Sequence, residues 1–580
     1  MLGETSKIYL EHLMAQALSQ LKLTSQLDHS PDISVPESRF GDYATNAAMI
    51  LAKKLKLPPP QVAEKIAEAV RQLDAEGVLA EVSVAGGFLN FRLSQEALVK
   101  NLNKVLDQGD LYGCSMFGQG KHVVVEYFQN NVAKPPHVGH LRSAVIGDSL
   151  LRILRSQGYK AVSDTHIGDW GTQFGILIWA YKNLNGEKIV AKHSSDYIAA
   201  LNQLYVEANV KIEADEKLRE AAKQEFAKLE KGDAANRELW QKFVRLSLED
   251  FEHYRQWLDV LPFDHNLGES FYEDKMPAVL DDLKKKNLLT ESQGAQIVDL
   301  QGQKLGVAVL VKSDGATTYL LRDLATVKYR VGDMGISRAL YVVDNRQSHH
   351  FEQVFEISKL AGYVTDQQMV EHVDFGFMSL PEGAISTRKG TTISLHNLIS
   401  EAQKRAVNII NDKNPELDNK EAVAKLVALA AIKYFDLSHN RKTEIVFAWD
   451  KALSFEGNTG PYLQYTHARI HGILRKATDN KQQITGANAL SFTPNELSVL
   501  RKLNQYSEVV QQVAQDFLPN QLCNYLFELS QAFNTFYEAV PVLQEKDEQF
   551  RAFRLHLITA VAQVIKNGLY LLGIEAPEEM

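Results

Sequence analysis

Apolar residues recur every three or four positions along MLGETSKIYLEHLMAQALSQ, the spacing of one helix face. Extended and helical patterns then alternate: ISVPE, the helical YATNAAMILAKKL, a break at Pro58 to Pro60, the helical QVAEKIAEAVRQL and the extended VSVAGGFLNFRL. Residues 1–110 therefore predict a small α/β domain. A glycine-rich bridge, YGCSMFGQGKH, leads into the β-branched run VVVEYF. The period then lengthens to that of a helix over HLRSAVIGDSLLRILRSQGY and returns to strand at KAVSD, which is a βαβ opening. Residues 190–290 are polar, helical and charge-rich, as in EADEKLREAAKQEFAKLEKGD, and read as an insertion. Extended runs return at GVAVLVKSDG, ATTYLL, ALYVVD and HVDFGFMSL and are expected to complete a parallel sheet. Beyond residue 400 helices dominate, which predicts a helical connector over 401–454 and a helical bundle over 455–580.

The expected fold is thus α/β plus all-α: a Rossmann-like parallel-sheet domain over 111–400 with a helical insertion, a small amino-terminal α/β domain, and a carboxyl-terminal bundle. Composition narrows what such a chain binds. With 63 basic against 72 acidic side chains the formal charge is −9, so bulk electrostatics favour neither nucleic acid nor an anionic membrane, and any RNA contact needs local basic patches. Two distant cysteines, Cys114 and Cys523, give neither a disulfide framework nor zinc spacing and fit a reducing cytosol. The amino terminus lacks the uninterrupted apolar core of a secretory signal and no stretch approaches a membrane span, so a cytoplasmic protein with no membrane partner is expected.

The chemistry concentrates at Asn131 to His140, NVAKPPHVGH, between the VVVEYF strand and the next helix. In an open parallel sheet the ligand lies beyond the carboxyl ends of the strands, and a helix amino terminus there offers free N–H groups and partial positive charge to phosphates. His137 and His140 line one side of that turn, Gly139 leaves room for a ring against backbone, and Pro135 and Pro136 stiffen the approach. Imidazoles aimed at an α-phosphate stabilise charge that grows during in-line attack. No Walker-type loop is present, since GQGK at 118–121 lacks the required spacing.

This stretch, in the form A-K-P-x-H-x-G-H-L-R-S, resembles the HIGH element of class I aminoacyl-tRNA synthetases in its arginyl-tRNA synthetase variant. THIGDWGTQFG (165–175), ATTYLLRDLAT (316–326), YVVDNRQSHHFEQ (341–353) and TGPYLQYTHAR (459–469) resemble further blocks of that family in the same order. The resemblance covers the chain end to end. It implies an ATP-dependent ligase that makes arginyl-adenylate and transfers arginine to the 3′ end of tRNA(Arg), with tRNA required even for the first step. It places Tyr319 and Asp323 at the arginine side chain, where a carboxylate grips a planar guanidinium through two hydrogen bonds. It places Asn131 and Gln347 at the amino-acid head and His349 and His350 at the nucleotide; Glu126, at the strand end five residues before Asn131, is expected at the ammonium or near the guanidinium. Magnesium accompanies ATP, zinc is not expected, and a monomer is.

Two departures from the family pattern stand out. Where many synthetases carry Lys-Met-Ser-Lys, residues 384–389 read Ala384, Ile385, Ser386, Thr387, Arg388 and Lys389, so both consensus lysines are missing. Ser386, Arg388 and Lys389 then fall to the nucleotide and its leaving pyrophosphate, with Lys134 as a compensating cation. Where relatives often read Ser-small-Pro-Asn, this chain has Phe128, Gln129, Asn130, Asn131. For tRNA, Arg469, Arg475, Lys476, Arg501 and Lys502 among Tyr462, Tyr465 and Tyr506 suit unpaired anticodon bases. The segment Arg39 to Tyr43 suits a base at the tRNA elbow. Two alternatives stay open: another class I specificity, which an acidic Asp323 and the missing zinc ligands argue against, and a tRNA-binding paralogue without catalysis. The 190–290 insertion is too short and helical for an editing domain.

Overall fold

The structure is a computed structural model that describes residues 5–27, 29–193, 196–379, 394–477 and 491–580. At its centre lies a sheet of strands β1 (His122–Glu126), β2 (Lys160–Asp164), β3 (Arg338–Tyr341) and β4 (Met369–His372), all parallel, in the order β4-β3-β1-β2. Val123, Val124 and Val125 are each fully buried because both faces are covered. Val123 and Val125 join a core containing helix α1 (Val138–Ser156) and the carboxyl-terminal helices; Val124 joins the opposite core, with helix α2 (Tyr319–Gly332) and helix α3 (Ser348–Leu360). The chain leaves β1 toward β2 and returns on the other side of β1 as β3. The carboxyl ends of β1 and β3 therefore flank the switch point where such sheets take ligands.

Two of the runs expected in this sheet lie elsewhere. Gly306–Val311 pairs antiparallel with Ala295–Leu300 in a separate three-stranded sheet. Its exposed Val307 and Val309 alternate with buried Ala308 and Leu310, a one-sided pattern that a doubly covered parallel strand does not have. ATTYLL opens α2 instead, because Leu320, Leu324 and Val327 repeat at helical spacing. Of the last run, only its first residue joins the sheet, His372 closing β4; Met378–Ser379 pairs with Ile445–Val446.

The helical insertion starts earlier than its polar character indicates and ends earlier too. Helices Gln173–Asn183, Gly186–Lys192, Tyr197–Ala214, Glu216–Glu230 and Ala234–Trp257 enclose a core of their own around Phe174, Leu201, Leu204 and Phe243. The first of these, QFGILIWAYKN, is too apolar to look like the rest, and Gly175 lets it cross the Glu216–Glu230 helix so closely that a Cβ would lie 2.3 Å from the Ala222 carbonyl oxygen. At the amino terminus, an antiparallel sheet of Tyr43–Thr45, Phe88–Leu93 and Leu79–Ala85 is accompanied, among the described residues, by helices Ser6–Gln20, Ala47–Leu55, Pro59–Leu73 and Gln95–Gln108. After helix α4 (Lys420–Leu437), the terminal bundle is formed, among the described residues, by helices Gly460–Lys476, α5 (Pro494–Asp516), Asn520–Ala539 and α6 (Glu548–Leu571). Thr493 and Glu496 cap α5 reciprocally, and the same buried Glu496 takes the Arg554 Nε of α6 at 2.8 Å. The amino-terminal domain seats on this bundle: Tyr43 Oη donates to Glu508 at 2.7 Å and Arg501 pairs with Asp42 at 2.8 Å.

Candidate active site

Beyond Glu126 the chain folds over the carboxyl edge of the sheet before entering α1. Phe128 and Ala133 hold left-handed backbone, at φ 60° and 62°, a strain of order 1–3 kcal/mol each that the surroundings must impose. They do so through hydroxyls: the Phe128 amide donates to Ser143 Oγ at 2.9 Å and the Ala133 amide to Ser247 Oγ at 3.1 Å. The departures at 128–130 are absorbed within the protein. Phe128 is buried, Gln129 bridges Glu126 and Ser143, and Asn130 donates to the Phe128 carbonyl. The first side chain free to face outward is Asn131, which is exposed. Its backbone bridges to Gly168 in the HIGDWG block, where a Cβ would lie 2.3 Å from Asn131 Oδ1.

His137 caps α1, its Nδ1 accepting from the Gly139 amide at 3.1 Å, while His140 Nδ1 accepts from the His137 amide at 3.1 Å. Burial pushes both imidazoles below the ordinary histidine value, His140 far below, helped there by His137 and Lys134. Each ring is therefore neutral near pH 7, with its proton on Nε2 because Nδ1 is an acceptor. Two N–H donors thus sit side by side, ring centroids 4.0 Å apart, at a helix amino terminus. A Cβ on Gly139 would stand 2.9 Å from the His137 ring, so glycine there also protects the ring's position. Arg346 and Asp344, just beyond β3, act on the charge of His137 in opposite senses, Arg346 disfavouring and Asp344 favouring the protonated ring. Lys134 is half-buried, its ammonium 5.7 Å from the Tyr205 ring of the insertion.

The acidic side of the site comes from α2. Asp323 lies in its first turns with 23% of its side chain exposed; Oδ2 is 2.5 Å from His350 Nε2 and Oδ1 is 3.9 Å from His166 Nε2. Tyr319 is exposed at the helix start, with the Arg322 guanidinium 4.9 Å from its ring. Arg322 in turn pairs with Glu269 at 2.7 Å. Burial pushes Glu269 up to about 7 against the pull of Arg322 and His166.

Not every expected side chain stands open to a ligand. Glu126 is buried and paired with Arg330, which also holds Asp164 at 2.7 Å, so one guanidinium neutralises the facing ends of β1 and β2. His350 gives Nε2 to Asp323, while His349 and Gln347 are exposed. Ser386, Arg388 and Lys389 lie outside the described residues. Sequence reasoning missed Arg330, Glu269, His166 and Ser143. Arg330 carried a signal, since it falls in the apolar stripe after Leu324 and Val327, where a charge needs a buried partner. His166 Nδ1 is buried with no partner among the described residues. On the RNA side, Tyr506 is core, stacked on Tyr112, and Arg501, Lys502 and Arg475 are paired with Asp42, Glu528 and Glu579. Arg469 is half-buried, 4.9 Å from the Tyr537 ring, and the Tyr462 hydroxyl accepts from Asn534. Tyr465, Lys476, Arg39 and Phe40 are exposed, while Tyr43 is buried.

Comparison with known proteins bears on the whole chain. The family description "tRNA synthetases class I (R), catalytic domain" matches residues 101–449, "DALR anticodon binding domain" matches 463–580, and "Arginyl tRNA synthetase N terminal domain" matches 9–93. An arginine–tRNA ligase of Alkaliphilus metalliredigens is 41% identical over 551 residues, covering 94% of each chain, and one of Vibrio parahaemolyticus is 40% identical over 553 residues. The solved arginyl-tRNA synthetase of Thermus thermophilus superposes with a TM-score of 0.83 at 28% identity, over 99% of this chain and 100% of that one. That of Plasmodium falciparum gives 0.82 at 26%, over 100% and 99%. With a catalytic-domain match over more than half its length and relatives near 40% identity across almost all of it, the chain belongs to the class I arginyl-tRNA synthetases.

Proposed function

We propose that the carboxyl edge of the sheet divides the work of arginine–tRNA ligation between two neighbouring sets of side chains. Arginine, ATP and tRNA(Arg) are the substrates. ATP, taken as its magnesium complex, lies with its phosphates toward the Nε2–H groups of His137 and His140 and the amino terminus of α1. Arginine lies with its guanidinium toward Asp323, Glu269 and Tyr319 and its head toward Asn131 and Gln347. A carboxylate oxygen of arginine attacks the α-phosphorus, the bond to the bridging oxygen breaks and pyrophosphate leaves; a terminal ribose hydroxyl of the tRNA then attacks the carbonyl carbon and AMP leaves. No covalent enzyme intermediate is needed, because donors fixed before the reaction meet the charge as it develops. Lys134 adds positive charge beside the phosphates, as do Arg388 and Lys389 on the sequence argument. Glu126 serves from beneath, fixing Arg330 and the strand ends.

The observation that carries this reading is the geometry of the His137–His140 pair, whose Nδ1 atoms both accept backbone amides at a helix amino terminus on a switch-point crevice and so leave both Nε2–H groups to donate. For the tRNA, exposed Tyr465 and Lys476 are the proposed anticodon contacts and Arg39 with Phe40 the elbow contact. The arrangement draws on one chain, so a monomer in the cytoplasm is the proposed working form; among the described residues no helix is long and apolar enough to cross a membrane. Pyrophosphate exchange with each of the twenty amino acids, with and without tRNA(Arg), tests the reading: arginine alone is expected to support exchange, and exchange with another amino acid overturns the specificity assigned to Asp323.

A further inference from the structure

Arg142 lies just past His140 on the inner face of α1, with its side chain fully buried. A guanidinium out of water needs its donors matched, and the matching here is what ties the region together. Nε donates to Asp436 Oδ2 of α4 at 2.9 Å. Nη1 donates to the Gly376 carbonyl at 2.5 Å and the Thr443 carbonyl at 3.3 Å, and Nη2 to the Arg441 carbonyl at 3.4 Å. Segments 374–379 and 440–443 and helix α4 thus converge on one side chain. They fit with no slack, since a Cβ on Gly376 would lie 2.4 Å from the Thr443 carbonyl oxygen. Arg441 continues the joint outward: its Nε donates to the Phe517 carbonyl at the end of α5 at 3.0 Å, and its Nη1 pairs with Asp374 at 2.8 Å.

We propose that Arg142 is a positioning residue for adenylate formation, fixing α1 and its His137–His140 donors against α4 and the Arg441 turn, so that the seat of the terminal bundle sets the aim of the imidazoles. The donors must meet an α-phosphate within a few tenths of an ångström, and a misplacement of about 1 Å costs on the order of a hundredfold in rate. A buried ion pair that merely held the fold would also explain the contacts, but it would act on stability and leave the folded enzyme's turnover alone.

Arg142→Lys keeps the charge and loses the planar fork that spans Asp436, Gly376 and Arg441 together. Arg441→Lys acts on the same joint from outside and leaves the Arg142–Asp436 pair in place. Pyrophosphate exchange is measured on the full chain with arginine, ATP and tRNA(Arg) for each variant and the double variant, alongside circular dichroism to establish folding. The expected result for Arg142→Lys is a fall in kcat of about ten- to a hundredfold with KM for arginine and ATP unchanged. A smaller fall of the same kind is expected for Arg441→Lys, with no further loss in the double variant beyond that of Arg142→Lys alone. A folded Arg142→Lys enzyme with the parent's kcat, or one whose KM values rise while kcat holds, overturns the proposal. If Arg142→Lys does not fold, Arg441→Lys decides, and parental kcat in it is equally fatal. The inference rests on activation at the His137–His140 turn, which a His140→Asn control reports on separately.

Discussion

Replacing Asp323 by Asn tests the arginine pocket at its centre. The change keeps size and an acceptor oxygen but removes the charge, and leaves an amide where a guanidinium needs two lone-pair faces. Truncating one partner of a desolvated, hydrogen-bonded charge pair costs about 2–5 kcal/mol. Asp323 keeps 23% of its side chain exposed, and solvent screening there brings the figure to the lower part of that range, about 2–3 kcal/mol. At about 1.4 kcal/mol per tenfold, the KM for arginine should rise roughly 30- to 150-fold, with KM for ATP unchanged. The companion change, His350→Gln, removes the partner 2.5 Å from Oδ2 and should raise the arginine KM about fivefold, the worth of a single hydrogen bond of about 1 kcal/mol. Steady-state exchange with each substrate varied in turn gives both constants. An unchanged arginine KM in Asp323→Asn refutes the pocket, and a rise in the ATP KM alone in His350→Gln returns that histidine to the nucleotide.

Glu269, lifted by burial to about 7, is protonated in the free enzyme below that value, and a cationic substrate binds better to its ionised form. The kcat/KM for arginine should therefore climb with pH until about 7 and then level, while Glu269→Gln shows no such rise; a parallel profile in both enzymes removes Glu269 from the pocket. The linkage to stability has the opposite sign: a carboxyl raised from 4.5 to about 7 on folding binds more protons in the native state, so its contribution falls as pH rises through that window. Lys134→Ala should slow adenylate formation about ten- to a hundredfold with little effect on the arginine KM, and a normal single-turnover rate excludes its compensating role. Gly147→Ala in α1 would place a Cβ 2.2 Å from the Tyr127 ring, overpacking worth about 1–3 kcal/mol, seen as a lower thermal midpoint. An unchanged midpoint would mean that Tyr127 moves freely.

What could be read from residue order was what the chain builds locally. The β1 to α1 corner is one continuous stretch, so strand, turn, histidine cap and helix follow each other in the text as they do in space. Long-range partners were hidden for the complementary reason. Glu126 meets Arg330, Asp323 meets His350 and Glu269 meets Arg322 only after the sheet has assembled, and nothing near any of them in sequence states the pairing. The run GVAVLV misled because β-branched content marks a strand without marking its neighbours, and the half-exposed face that separates the two sheets is a property of what packs on it. Tyr506 misled similarly: helical spacing shows which tyrosines share a face, and only the packing of Tyr112 and Tyr525 on Tyr506 shows that this face is covered.

That seat makes the amino-terminal domain a poor candidate for removal. Cutting the chain after residue 110 would strip Tyr43 from Glu508, whose carboxyl its present burial lifts to about 7, and Asp42 from Arg501. It would also take Asn101 from the Tyr112 hydroxyl, whose ring stacks on Tyr506. A shortened enzyme would thus expose a wet, charged scar on α5, the very helix whose far end Arg441 grips, and a deletion meant to probe elbow recognition would report instead on a distorted handle behind the catalytic corner.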